Sequence, residues 1–275
     1  MTARIGEGPV VVAGAGDVGG RLAARLAEAG TEVLALRRRP PTLASPGVRS
    51  LQVDLVGGEG FSALPRQAAA LVFCAAPDQR EETAYRALYV DGLARLLATC
   101  EAPRVVFVSS TAVYGEHRGE WVDEDTPANP VAFTGRVLRQ AEGLLAGRAG
   151  ASCLRLSGIY GPGRTSLLRR AFTGDPGSRR WGNRIHAQDA ASALAHLLAL
   201  PAPAPLYLGS DNLPALDTEV LAWLREAAGQ RPVAAPGNGP VQGRRVRNGL
   251  LRASGWEPAF PDFRAGYGPL IGAGV

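Results

Sequence analysis

The chain has 275 residues, 46% of them hydrophobic and 20% charged, which is enough apolar material to bury a core in one or two domains. Its net charge of +5 is carried on the basic side by arginine alone, because the sequence contains no lysine. The arginines are dispersed, apart from Arg37-Arg38-Arg39, and no aromatics interleave with them, which argues against a nucleic-acid surface. The uncharged apolar run Ala68 to Pro77 is too short to span a bilayer, and the N-terminus lacks a signal-peptide layout. The expectation is a soluble cytoplasmic protein that acts on a small molecule, without membrane or nucleic-acid partners. Cys74, Cys100 and Cys153 form an odd set without metal-ligand spacing and read as reduced, buried thiols; no metal site is expected.

In chain order, Val10 to Ala13 is a short β-branched run of buried-strand composition. Val18 to Ala29 has apolar residues at helical spacing: Val18, Leu22, Ala23 and Leu26. Further strands are expected at Glu32–Leu36, Ser50–Val53, Ala70–Cys74, Arg104–Ser110 and Cys153–Leu156. Two long amphipathic helices are expected at Arg80–Cys100 and Val131–Arg148. The second half is rich in loops, with helices at Gln188–Leu200 and Thr218–Ala228, a strand at Leu206–Leu208, and a Pro/Gly-rich tail carrying Trp256, Phe260, Phe263 and Tyr267. Strands alternating with helices predict an α/β fold: a doubly wound parallel sheet of Rossmann type with a smaller C-terminal lobe. Residues 1–157 are assigned to the nucleotide-binding domain and 158–275 mainly to a substrate lobe, with 183–208 returning to the core.

Gly14, Gly16 and Gly19 stand in GxGxxG order directly after an apolar strand and at the start of a helix, the context that gives this pattern meaning. Gly14 permits a tight turn, Gly16 lets backbone approach a pyrophosphate, and Gly19 lets helix and strand pack closely. The first helical turn, with Asp17 and Val18, then presents N–H groups and a partial positive charge to phosphates. About 20 residues on, where an Asp or Glu would bind a ribose 2′-hydroxyl, the sequence has Arg37 followed by Arg38. A guanidinium there suits a 2′-phosphate, so NADP(H) is favoured over NAD(H). Asp54, followed by Leu55, is positioned to accept from an adenine amino group, and Cys74-Ala75-Ala76 is positioned to flank the adenine ribose.

These pieces, with Phe107–Gly115 (FVSSTAVYG), Arg155–Arg164 (RLSGIYGPGR) and Asn183–Leu194 (NRIHAQDAASAL), make the chain resemble the extended short-chain dehydrogenase/reductases. The similarity is to the NAD(P)-dependent epimerase/dehydratase branch, in an atypical form, and it covers nearly the whole chain. It implies that Ser110 positions the substrate's reacting oxygen, with Thr111 able to share the task and Ser109 beside them at the cofactor. It also implies that Tyr160, Arg184 and His186 shape the substrate lobe, and that two long helices pair a homodimer. His186 is read equally well as a satisfied structural histidine.

The family's Tyr-x-x-x-Lys is expected at Phe133 and Val137, and a helix asparagine tied to that lysine at Tyr89. Phe133 has no proton to give and Val137 no charge. Tyr89, Tyr114, Tyr160 and His117 remain as groups able to supply one, with Arg136 as a permanent charge. Tyr114 is the tentative catalytic candidate, with packing as a wall beside the pocket its favoured alternative. The resulting expectation is an oxidoreductase or epimerase for a small polar, sugar-nucleotide-like substrate with a non-standard acid. The alternative is a dinucleotide binder, sensing or regulatory, that does no chemistry.

Overall fold

The computed structural model describes residues 5–39 and 46–272. In chain order the main elements are β1 (Val10–Ala13), α1 (Asp17–Glu28), β2 (Val33–Arg37), β3 (Val48–Gln52), β4 (Ala70–Phe73), α2 (Glu82–Arg86), α3 (Leu93–Thr99) and β5 (Val105–Ser110). They continue with β6 (Arg118–Val122), α4 (Phe133–Gly143), β7 (Ala151–Leu156), β8 (Gly158–Tyr160), α5 (Ser166–Phe172), β9 (Arg180–Gly182), β10 (Arg184–His186) and α6 (Ala187–Ala199). The last are β11 (Leu206–Gly209), β12 (Ala215–Leu216), α7 (Asp217–Ala227), β13 (Gln242–Val246), α8 (Gly249–Ala253) and α9 (Phe263–Ile271).

A seven-stranded sheet runs in the order β11-β7-β5-β4-β1-β2-β3. β1 pairs in parallel with β2 on one side and β4 on the other, and β3 and β5 continue the parallel pairing outward. The chain therefore winds one way from β1 to β3, then reverses to β4, which makes the carboxyl ends of β1 and β4 a topological switch point. β1 and β4 are buried along their whole length, as unbroken Val/Ala/Leu/Phe runs require when helices cover both faces. This is the doubly wound α/β architecture that the sequence predicts.

Two compact units emerge. One extends to Tyr114 and takes in Ala128–Arg155 and Ala191–Tyr207; the other holds Gly115–Pro127, Leu156–Ala190 and the chain from Leu208 onward. Two boundaries differ from the sequence expectation: residues 115–127 leave the first unit, and the return to it begins at Ala191. The second unit contains a four-stranded sheet in the order β12-β9-β13-β6, which the sequence reading took as loop. Its strands are 2 to 5 residues long and rich in Gly and Arg, so alternation is too brief to register. Its own core gathers Tyr160, Leu168, Ala171, Val220, Leu221, Leu224, Phe263 and Tyr267.

The expected helix at 80–100 is also not uniform. A π-helical turn, Ala87–Gly92, separates α2 from α3. A Cβ on Gly92 would stand 2.9 Å from the Leu55 carbonyl, so the wide turn and the glycine together seat this helix on the chain leaving β3.

Candidate functional site

The turn after β1 is built from glycines that each answer a different constraint. Gly14 has φ +90°, and a Cβ there would lie 2.3 Å from Cα of Ala75 in the loop after β4. The two loops therefore touch at the switch point. At Gly19 a Cβ would meet the Gly14 carbonyl at 2.4 Å, so this glycine lets α1 sit directly on the turn. Gly16 differs, since a Cβ there would meet nothing within 4 Å. It also caps α1 without a side-chain hydrogen bond, so no capping side chain stands at the start of the helix. Asp17 itself pairs with Arg21 at 2.7 Å.

Beyond the turn, Arg37 ends β2 half-buried and in register with Gln52 of β3. Arg38 is exposed and forms an ion pair with Asp78. A shallow pocket of about 210 Å³ lies here, lined by Arg38, Gln52, Asp54 and Glu59. One Asp54 oxygen accepts from the Val56 N–H at 2.8 Å, so this carboxylate closes its own turn. Leu55 is buried and offers its carbonyl to Arg95 at 2.7 Å. After β4, Cys74 and Ala75 are half-buried and Ala76 is exposed. Cys74 thus departs from the expected buried thiol, while Cys100 and Cys153 are buried, and none of the three forms a disulfide. Among the described residues no cluster of side chains has the makings of a metal site.

At the end of β5, the Ser110 hydroxyl oxygen accepts from the Ala112 N–H at 3.2 Å, capping a short 3₁₀ turn over Thr111–Val113. Its own O–H stays available to donate, and both Ser110 and Thr111 are partly exposed. Helix α4 approaches this turn closely, since a Cβ on Gly135 would stand 2.4 Å from the Ala112 carbonyl. Thr134, in the first turn of α4, is buried. Phe133 meets Tyr85 edge-on at 5.5 Å between ring centroids, and Val137 is buried. Neither carries a titratable group.

Tyr114 is 1% exposed, and its hydroxyl accepts from Arg155 Nη1 at 2.8 Å. Arg155 in turn forms a buried bidentate pair with Glu142, at 2.8 and 2.7 Å, and the Ser109 hydroxyl donates to Glu142 at 2.7 Å. Tyr114 is therefore a brace shielded from solvent, which accords with packing and not with the tentative catalytic candidacy. Ser109 likewise spends its side chain on Glu142. Glu142 and Thr134 escaped the sequence reading. The available signal was a glutamate inside the otherwise apolar stripe Leu138, Ala141, Leu145.

The residues assigned to the substrate lobe are interior. Tyr160 stacks on Tyr267 at 4.5 Å and donates to the Asp262 carbonyl at 3.3 Å. His186 is 4% exposed, stands 3.9 Å from the Phe260 ring, and accepts from the Gln188 N–H. It is a satisfied core histidine, the second of the two readings given above. Arg184 is buried and donates to the Gly182 carbonyl. Nearby, Asp211 is 1% exposed; Leu213 N–H reaches one of its oxygens, and the other has no partner among the described residues. Burial pushes its pKa up to about 8. His117, exposed on its loop, makes a contact with the Gly115 carbonyl.

In comparison with known proteins, residues 10–205 match the NAD dependent epimerase/dehydratase family. The chain belongs to that family. A Methylobacillus flagellatus protein described as a candidate NAD-dependent epimerase/dehydratase is 37% identical, with a TM-score of 0.83 over 97% of this chain and 98% of its own. The protein MoeE5, solved with UDP-glucose and NAD, is 26% identical with a TM-score of 0.78, over 96% of this chain and 98% of its own. Protein YeeZ of Escherichia coli K12 is 41% identical over 109 residues, which span 38% of this chain and 39% of that protein. No helix among the described residues is long and apolar enough to cross a membrane.

Proposed function

We propose that this family member binds a nicotinamide dinucleotide across the β1/β4 crevice and acts as an oxidoreductase or epimerase on a small polar substrate of sugar-nucleotide type. The observation that carries the reading is the turn itself. Two glycines are forced by backbone contacts, and the third, Gly16, opens onto space at the start of α1, where a helix N-terminus favours a diphosphate. MoeE5 supports the substrate class through its bound UDP-glucose. Gly14, Gly16, Asp17, Val18, Gly19, Cys74, Ala75 and Ala76 would hold the cofactor, and Ser110 with Thr111 would hold the substrate oxygen. The cofactor, when bound, supplies the hydride acceptor or donor.

For the cofactor's identity the proposal favours NADP(H), because Arg37 stands at the end of β2 with no acidic residue in its place. Arg38, engaged by Asp78, is the weaker clamp. Pairing of two copies through the α2–α3 and α4 helices is part of the same proposal, to be checked by light scattering.

A second reading is a dinucleotide binder that does no chemistry. It is favoured by the chain's lack of lysine and by the hydroxyls of Tyr114 and Tyr160, both already committed to internal hydrogen bonds. Losing a general acid costs about 10²–10⁴-fold in rate, so slow turnover is the signature that separates the two. Rapid mixing of enzyme and UDP-glucose with NAD⁺ or NADP⁺, and of enzyme and carbonyl compounds with the reduced forms, decides it. A change in nicotinamide absorbance supports an enzyme; tight binding without any change supports the binder.

A further inference from the structure

The six tyrosines of the chain divide sharply by what their hydroxyls do. Tyr114 is held by Arg155, Tyr160 by the Asp262 carbonyl and Tyr207 by the Ala204 N–H. Tyr267 stacks inside the core of the second unit. Tyr85 and Tyr89 remain, one helical turn apart and edge-on to each other at 5.4 Å. Tyr85 is half-buried, whereas Tyr89 is 8% exposed. Among the described residues no hydrogen bond engages the Tyr89 hydroxyl, yet its oxygen is not among the buried unpartnered atoms and so reaches an accessible surface.

The position of this ring is informative. It lies 6.5 Å from Phe73, the last residue of β4, and 6.1 Å from Phe107 of β5, which pairs with Phe73 in register. The ring thus packs beside the end of β4 and the middle of β5, in the half of the sheet away from Arg37 and Asp54 at the β2 and β3 ends. A dinucleotide laid over such a sheet puts one nucleoside over each half, so Tyr89 belongs to the half opposite the adenosine. Four neighbouring rings from Phe73, Tyr85, Phe107 and, through Tyr85, Phe133 fix its orientation. The residue lies in the π-helical turn, a distortion that recurs at functional sites.

We propose that Tyr89 is a ligand-binding residue whose hydroxyl donates a hydrogen bond to a hydroxyl oxygen of the nicotinamide ribose. The inference rests on the dinucleotide reading above. Burial pushes the phenol pKa up, with no cation to offset it, so the group stays protonated and serves as a donor without transferring its proton.

The test is calorimetric titration of NADH, ADP-ribose and ADP into wild type, Tyr89→Phe and Tyr85→Phe, with matched thermal transitions as the check on folding. Tyr89→Phe is expected to weaken NADH and ADP-ribose by roughly five- to tenfold, the loss of one neutral hydrogen bond, and to leave ADP unchanged. Tyr85→Phe is expected to change none of the three. The inference is overturned by unchanged affinities in Tyr89→Phe, by loss for NADH alone, by equal loss for ADP, or by the effect appearing in Tyr85→Phe. Wild type that binds none of the three ligands, and NADPH no better, overturns the dinucleotide reading itself, and this inference with it, whereas binding that ignores the Tyr89 hydroxyl overturns the inference alone.

Discussion

Arg155 and Glu142 form a bidentate ion pair in the interior, each about 4% exposed or less at its side chain, with Nη2 to Oε2 at 2.7 Å. Arg155 lies in β7 and Glu142 on α4; Ser109 at the end of β5 and Tyr114 after the following turn complete the network. Every charge in it is hydrogen-bonded, which is the condition under which buried ions are tolerated. The network ties the Ser110–Tyr114 turn to the helix that carries Phe133 and Thr134.

Removing one partner should therefore cost much more than removing both. Glu142→Ala is expected to lose about 3–5 kcal/mol in urea unfolding because it strands a buried guanidinium. The double variant Glu142→Leu/Arg155→Met should recover most of that loss. A single variant that unfolds at the wild-type urea concentration would mean the pair is dispensable.

Gly14 and Gly16 should separate folding from binding. Gly14→Ala places a methyl against Ala75 at a positive φ, and a thermal transition several degrees below wild type is expected. Gly16→Ala meets nothing within 4 Å, so its transition should lie closer to wild type than that of Gly14→Ala, while affinity for NADH and NADPH falls at least about tenfold, the methyl occupying the diphosphate's place. Unimpaired nucleotide binding by Gly16→Ala would remove the crevice from consideration.

Arg37→Ala tests cofactor choice. A charge-assisted contact to a 2′-phosphate is worth about 1.5–3 kcal/mol, so NADPH affinity should drop roughly tenfold or more with NADH unaffected. The quantity to read is the ratio of the two dissociation constants. If it does not move, Arg37 is not the clamp.

Asp211 imposes a pH dependence on stability. Its carboxyl holds a proton in the folded protein up to about pH 8, whereas the unfolded chain releases it near pH 4. Between those values the folded state binds the extra proton, so stability falls as pH rises through the window and levels off above it. Asp211→Asn removes the ionisable oxygen. It should be close to wild type at pH about 4 and more stable, by a few degrees in Tm, at pH about 9. An advantage of the same size at both ends would assign it to something other than ionisation.

Much of this protein was legible from local pattern alone. The Gly14-Gly16-Gly19 turn, the apolar strands around it and Arg37 at the end of β2 are set by residues close in sequence, because sterics and short-range periodicity decide them. Tertiary structure decided which hydroxyls remain unspent. Tyr114 and Arg155 are 41 positions apart, and Tyr160 and Asp262 are 102 apart, so no spacing rule reveals that they satisfy each other. The four-stranded sheet of the second unit, the interior placement of His186 and the aromatic enclosure of Tyr89 have the same origin. Each depends on contacts between segments far apart in the chain, and a polar group's chemistry follows from the partner that folding brings to it.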